Sequence, residues 1–487
     1  MKKRSLAILY CSLLITLGAC KKFEYFQTDP NKPTESTPDL LLTSIEAKTF
    51  SEVSTSCPLA ARQLVNTDGV SANQYYGWQR AGFGDFDQLR QVVKMEQAAT
   101  RLNKPVYLAL AKFFRAYLFM RLSLVYGDIP YSEALQGESK SFTPAYDRQE
   151  TIFLHILDEL KIANNLLTAD AGEIRGDIVY SGKIQQWKQL INTFSLRILM
   201  SLSLKENNAK LGIQQRFREI VNNPGQYPLM TGNQDNGQLV YVDLKDNRYP
   251  FYNSNDLQTA YYLEETFVNL LKGTRDPRLF RFAQKAPQSA ALPDNDFNAY
   301  GGAKGSATID ENTSRVTAGQ VSKIAKRYYN DPVNEPGIAI GYAELQFILA
   351  EGVVRKWIGG NAEEYYKKGI QASMEHYKVP AADITAYKAQ PAVQLLPGKE
   401  MEAIFNQKYI SFFMNSGWQL FYEQRRTGLP VFDVSGNGVL NNKRIPKRWM
   451  YPEDELNLNR DNVTAAIARQ FPQGDDINAV MWLLIKD

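Results

Sequence analysis

The sequence predicts a mainly α-helical protein built from tetratricopeptide-like helix pairs and interrupted by long irregular loops. Three observations point there. Apolar residues recur every three to four positions through most of the chain, which is the period of a helix with one buried face. In residues 342–377, Ala350, Ala362, Tyr366 and Gly369 flank a Gly359-Gly360 turn, and small and aromatic residues so spaced suit closely packed helix pairs. Residues 66–90, 228–256 and 290–333, by contrast, are rich in Gly, Asn, Asp and aromatics, and loops of that length are functional or disordered. At 487 residues, 44% hydrophobic and 22% charged, the chain can bury a large core.

The elements follow in chain order. Lys2, Lys3 and Arg4 precede an apolar stretch from Leu6 to Leu17. That stretch falls short of the roughly 20 residues needed to span a bilayer of about 30 Å, so it reads as a secretory signal peptide. Leu17-Gly18-Ala19-Cys20 looks like a bacterial lipobox: residues 1–19 are removed and Cys20 is the lipidation site. Removal takes away three basic residues and lowers the net charge from +4 to +1. Lys21, standing where Asp would favour inner-membrane retention, points to the outer membrane. Residues 20–38 form the lipidated N-terminus and a linker whose segment 27–38 carries three prolines. Residues 39–487 are expected to form a single domain.

Within that domain, 106–126 is almost continuously apolar but contains Lys112, Arg115 and Arg121, so it is a core helix and not a membrane span. Gly127 and Pro130 stop it. Segments 149–167, 184–204, 209–222, 258–272, 342–357, 361–377 and 399–415 carry the same helical spacing. The expected pairs are 106–126 with 149–167, 184–204 with 209–222, and 342–357 with 361–377. A plain helical hairpin satisfies the same pattern.

Charge and composition exclude several functions. Basic and acidic residues number 56 and 52, too even for an electrostatic claim on nucleic acid. Two histidines and three cysteines leave no material for multi-histidine or cysteine-cage metal sites. With Cys11 in the signal and Cys20 acylated, Cys57 has no disulfide partner. The chemistry on offer is aromatic. Sugar rings present C–H faces that stack on flat side chains, while Asn, Asp and Arg satisfy hydroxyls. The densest cluster is Asn73-Gln74-Tyr75-Tyr76-Gly77-Trp78-Gln79-Arg80, followed by Phe83 and Phe86. Arg248-Tyr249-Pro250-Phe251-Tyr252-Asn253 and Phe297-Asn298-Ala299-Tyr300-Gly301-Gly302 are the other two. The candidate ligand-binding residues are Asn73, Tyr75, Tyr76, Trp78, Arg80, Phe83, Tyr249, Tyr252, Asn253 and Tyr300. For Trp78 the competing reading, and the favoured one, is that it packs this loop onto the helices, and the other clusters carry the same kind of alternative. Tyr328 and Tyr329 read as strand or core residues, His155 and His376 as structural, and Asp310-Glu311 and Asp475-Asp476 as solvated turns.

A set of motifs occurs in order: Asp29-Pro30-Asn31, YGDIPYSEAL at 126–135, Asp177-Ile178-Val179-Tyr180 with Trp187 and Arg197, and Asp276-Pro277-Arg278-Leu279. AELQFILAE at 343–351, GIQASMEHY at 369–377, Gln424-Arg425-Arg426-Thr427-Gly428 and Arg448-Trp449-Met450-Tyr451-Pro452 complete it. On these residues, over essentially all of 20–487, the chain resembles the SusD/RagB (SusD-like) family of nutrient-binding outer-membrane lipoproteins. The resemblance implies helix pairs packed against an irregular, loop-rich ligand-binding half with a few short strands. It implies a surface-exposed protein that binds an oligomeric nutrient, a glycan in most members and a peptide in some, and hands it to a SusC-type TonB-dependent transporter. It implies no enzyme activity and no required cofactor, although some members hold a structural cation. It also implies that Arg425 and Arg426 are buried ion-pair anchors. Glycan is the favoured ligand. A structural lid of the transporter is one alternative, and a glycoside hydrolase, needing only two carboxylates about 5–10 Å apart, is another.

Overall fold

The computed structural model describes residues 36–487. The signal peptide, Cys20 and Asp29-Pro30-Asn31 lie outside the described residues. The longer helices are α1 (Pro38–Thr49), α2 (Asp85–Arg101), α3 (Pro105–Tyr126), α4 (Gln149–Leu166), α5 (Ile184–Ser201), α6 (Ile213–Asn222) and α7 (Glu265–Gly273). They continue with α8 (Ile309–Thr317), α9 (Tyr342–Val354), α10 (Ala362–His376), α11 (Ala381–Ala389), α12 (Glu400–Ser411), α13 (Gln419–Thr427) and α14 (Arg460–Gln470).

The expected pairs form. Helix α3 packs on α4, α5 on α6, and α9 on α10, while α3 also lies against α2 and α9 against α12. Pro105 opens α3 at a position where its missing N–H is no loss. Gly127 closes it at φ +94, and a Cβ there would stand 2.2 Å from Gln470 Oε1. The small-aromatic pattern of 342–377 has a direct cause: the ring of Phe347 on α9 sits where a Cβ on Gly369 of α10 would be, 2.7 Å away.

Two departures from the sequence reading have physical reasons. Segment 258–272 is not one helix. A short helix (Asn255–Thr259) is followed by a strand, Tyr261–Leu263, before α7 begins. That strand pairs antiparallel with Leu64–Asn66 in the register Leu64↔Leu263 and Asn66↔Tyr261, a distant pairing that outweighs local helical spacing. Residues 66–90, read as loop, contain the start of α2. Asp85 and Asp87 occupy its first turn, where the helix dipole favours negative charge, and Leu89, Val92, Met95 and Ala99 supply its buried face. A second two-stranded pair joins Gly237–Leu239 to Gly337–Ile340.

The family motifs form the buried polar skeleton. Asp177 accepts from the N–H groups of Val179, Tyr180 and Gly182 and from the Trp187 indole, all at 2.8–2.9 Å. Arg197 on α5 pairs with Glu344 on α9, tying two helix pairs together. Arg426 on α13 pairs with Glu351 at 2.6 Å and Glu423 at 2.7 Å, and Lys408 reaches Glu423 at 3.1 Å. Burial raises the Glu423 carboxyl, but these two cations outweigh it and hold the group at about 2. Arg425 departs from expectation. It is buried without a carboxylate partner, donating to the carbonyls of Lys447 (2.6 Å) and Leu124 (2.8 Å) under the Tyr422 ring, and burial lowers it to about 10. Tyr328 and Tyr329 are core residues in a short helix, Arg327–Asn330. His376 ends α10, where burial and then Arg327 and Lys378 pull its imidazole down to about 3, so it stays neutral.

Candidate ligand-binding site

The largest cavity is an open groove of about 700 Å³. Three remote segments wall it: residues 82–97 at the start of α2, residues 130–144 after α3, and residues 452–455. Phe83 and Phe86 enter it from the first segment. Their rings stand 5.2 Å apart, and Phe83 packs edge-on against Tyr126 at 4.9 Å, so core rings anchor both aromatics. The Tyr126 hydroxyl donates to Gly82 O at 2.9 Å and fixes the loop ahead of α2. From the second segment comes Phe142, whose side is 74% exposed.

The loop that presents Phe142 is braced at its base. Asp147 accepts from the backbone N–H of Tyr131 (3.0 Å) and Ser132 (2.8 Å), and Glu133 accepts from Ala145 N–H at 2.9 Å. Asn459 and Asn462 donate to the carbonyls of Pro144 and Thr143 from across the groove. Five carboxylates line the groove (Asp87, Glu133, Glu138, Asp454, Glu455) against two cations, Arg90 and Lys94. Arg90 is taken up by Asp87, and Glu455 accepts the Tyr146 hydroxyl at 2.6 Å. The groove therefore offers flat aromatic faces beside hydrogen-bond acceptors and an excess of negative charge.

Of the candidates read from sequence, only Phe83 lines this groove. Tyr75, Tyr76 and Trp78 are buried and present no ring face to solvent. Tyr76 donates to Ala60 O at 2.8 Å beneath the Arg62 guanidinium, and burial pushes its hydroxyl up to about 12. Trp78 stacks on Trp449 at 4.7 Å, and its indole N–H donates to Arg448 O at 3.2 Å. It packs the loop onto α13 and the 448–452 motif, correcting the expectation that it stands ready to stack a ligand. Arg80 is spoken for by Tyr451 O, Asp475 and Glu453, and Asn73 sits half-buried in the short helix Ala72–Tyr75. Asp475, read as part of a solvated turn, is this anchor for Arg80 and for Arg448.

The other two clusters lie away from the groove. Tyr249 is buried edge-on against Tyr241 at 5.4 Å, Tyr252 is half-buried under Arg248, and Asn253 is exposed at φ +60. Tyr300 is buried and donates to Asp294 O at 2.7 Å. Phe142 and the carboxylates at 133, 138, 454 and 455 were missed. The available signal for Phe142 was a lone aromatic inside a polar Gly- and Pro-containing stretch, QGESKSFTP.

Comparison with known proteins identifies the family and the fold. The SusD-like family profile, described as starch-binding and associating with the outer membrane, matches residues 30–452. A SusD homologue from Bacteroides fragilis is 42% identical, with a TM-score of 0.86 over 93% of this chain and 100% of that one. A second SusD homologue from the same species is 34% identical, with a TM-score of 0.86 over 92% and 100% of the two chains. A chitin-binding protein, 23% identical, shares the fold with a TM-score of 0.76 over 92% and 100%. No curated protein matches.

Proposed function

The chain belongs to the SusD-like family of outer-membrane binding proteins, and we propose that it is a surface lipoprotein that captures a neutral oligosaccharide in the groove at Phe83, Phe86 and Phe142. In this reading Cys20 carries the lipid anchor, residues 39–487 act as one domain, and the captured chain passes to a SusC-type TonB-dependent transporter. The protein acts by binding, without catalysis and without a cofactor. The observation that carries the ligand assignment is the groove's composition: aromatic faces together with five carboxylates against two cations. That balance repels polyanionic glycans and suits uncharged sugars, whose hydroxyls donate to carboxylates. Its volume of about 700 Å³ falls in the usual range for ligand sites. One domain is supported by a hydrophobic core that runs from Leu42 to Leu483. Among the described residues no helix is long and apolar enough to cross a membrane, so anchoring falls to the lipid in this reading.

A peptide is the second reading, since an acidic groove also suits lysine- or arginine-bearing chains. Isothermal titration of residues 21–487 against neutral oligosaccharides, uronic-acid oligosaccharides and basic peptides separates the two. Neutral sugars are expected to bind and uronates to fail. Phe142→Ala should weaken binding about tenfold, roughly 1.4 kcal/mol, while leaving stability within about 0.5 kcal/mol because the ring is exposed. Binding of basic peptides alone would overturn the glycan assignment.

A further inference from the structure

Gly82 and Gly84 line the groove on one side and a second cavity of about 330 Å³ on the other. Buried Tyr117, Phe194 and Arg197 form part of that cavity's lining, with Arg121, Trp418 and Tyr422 less deeply set. This partly open cavity has room for about ten water molecules. Its size is at the lower end of the range for small-molecule sites, about 300–1,000 Å³.

The cations around the cavity are already matched. Arg121 reaches Glu52 Oε1 at 2.6 Å and Asp85 Oδ2 at 3.1 Å, and Glu52 also accepts the Tyr117 hydroxyl at 2.9 Å. Arg197 is neutralised by Glu344 behind it. An anion would find no uncompensated cation, and the Glu52–Arg121–Asp85 group keeps one carboxylate in excess. Two neutral groups are also unmatched: the Tyr422 hydroxyl and the Trp418 indole N–H have no hydrogen-bond partner among the described residues. Trp418 is held rigidly, edge-on to Trp449 at 4.8 Å and to Phe421 at 5.7 Å, while remaining half-exposed. An aromatic plane beside carboxylates, a guanidinium and a hydroxyl is the chemistry that recognises the C–H face and the hydroxyl edge of a sugar ring.

We propose that this cavity is a subsite for a single neutral sugar ring, reached from the groove across the Gly82–Gly84 backbone, with Trp418 as the stacking plane and Tyr422, Arg121 and Asp85 as hydroxyl partners. It rests on the glycan reading of the groove and extends it to a second, more enclosed position. The glycines leave the passage free of side chains, and a Cβ built on either meets nothing within 4 Å. A side chain at position 82 therefore starts into open space between the two cavities.

Calorimetric titration with glucose, galactose, mannose and N-acetylglucosamine tests the subsite, alongside a neutral oligosaccharide panel for the groove. At least one monosaccharide is expected to bind. Tyr422→Phe, which removes only the unpartnered hydroxyl, should weaken it about fivefold, the value of one hydrogen bond. Trp418→Ala and Gly82→Phe should abolish it, and Phe142→Ala should leave it unchanged. If oligosaccharides bind but no monosaccharide does, or if binding ignores Tyr422→Phe and Gly82→Phe, the subsite is wrong and the groove reading stands. Monosaccharide binding lost in Phe142→Ala would place the ring in the groove and refute the subsite. If neither class of sugar binds, both readings fall. Unchanged thermal melting of Tyr422→Phe and Gly82→Phe separates lost binding from lost fold.

Discussion

Glu46→Gln should abolish a pH dependence that a single buried carboxyl imposes on this protein. Glu46 lies on α1 with no exposed surface, and its Oε2 accepts the Ile178 N–H at 2.7 Å. Its Oε1 has no partner, and the Asp177 carboxylate stands beside it, already ringed by three backbone N–H groups and the Trp187 indole. Burial, reinforced by the Asp177 charge, raises Glu46 from the ordinary value of 4.5 to about 9. Below pH 4.5 folded and unfolded chains both hold the proton. Between 4.5 and about 9 the unfolded chain has released it and the folded chain has not, so stability falls as pH rises. Above about 9 both are ionised and the dependence ends. The slope inside that window is about 1.4 kcal/mol per pH unit, or about 2.7 kcal/mol between pH 6 and 8. Glutamine keeps an oxygen for Ile178, turns an amide N–H₂ toward Asp177 as the protonated acid would, and does not titrate. Denaturant titrations of both proteins, read by tryptophan fluorescence at half-unit steps from pH 6 to 8, should show the variant gaining steadily on the wild type. Two parallel curves would refute the reasoning, because Glu46 would then be ionised in the folded state.

Three further outcomes are expected. Arg426→Ala leaves Glu351 and Glu423 buried without their shared cation and should cost about 3–5 kcal/mol by denaturant titration; Arg425→Ala strands only carbonyls and should cost clearly less. Gly369→Ala drives a Cβ into the Phe347 ring and should destabilise by about 1–3 kcal/mol, with Phe347→Leu restoring part of the loss in the double variant. Cys20→Ala should move the protein from the membrane fraction to the soluble one in a cell that processes lipoproteins, and mass spectrometry of the wild type should find acyl chains on residue 20.

The helix pairs were legible because their cause is local. Apolar spacing in 106–126, a proline at its start and a glycine at its end are written next to one another, and α3 follows them to the residue. The small residues of 342–377 were legible for the same reason, since Gly369 and Phe347 sit on consecutive helices. Tyr261–Leu263 was not, because its partner strand is about 200 residues away and its own spacing fits a helix as well. Density of aromatics misled at Trp78. Rings at 78, 418, 421 and 449 cluster in space from three distant stretches, and sequence alone does not distinguish a ring that waits for a ligand from one that meets another ring. Phe83 was found because it neighbours that cluster; Phe142 was not, because the groove forms only when 130–144 is brought against α2.

This division explains why the family motifs name the fold and leave the ligand open. Arg197, Glu344, Glu351, Arg426 and Arg448 are buried, Asp177 is half-buried, and each ties to a group on another segment. Changing any one strands a buried partner, so these positions are tied to packing whatever is bound. The groove residues carry the opposite constraint. Phe142 and Glu138 stand out from the braced loop, touch little of the core and can change at small energetic cost. In the proposed reading, chains that share the skeleton are free to differ at 136–142 and 454–455, and the aromatic faces and charge balance there select the ligand. Resemblance in the motifs therefore transfers the helix pairs and the outer-membrane binding role, whereas substrate choice has to be read from the exposed loop and the charges that face it.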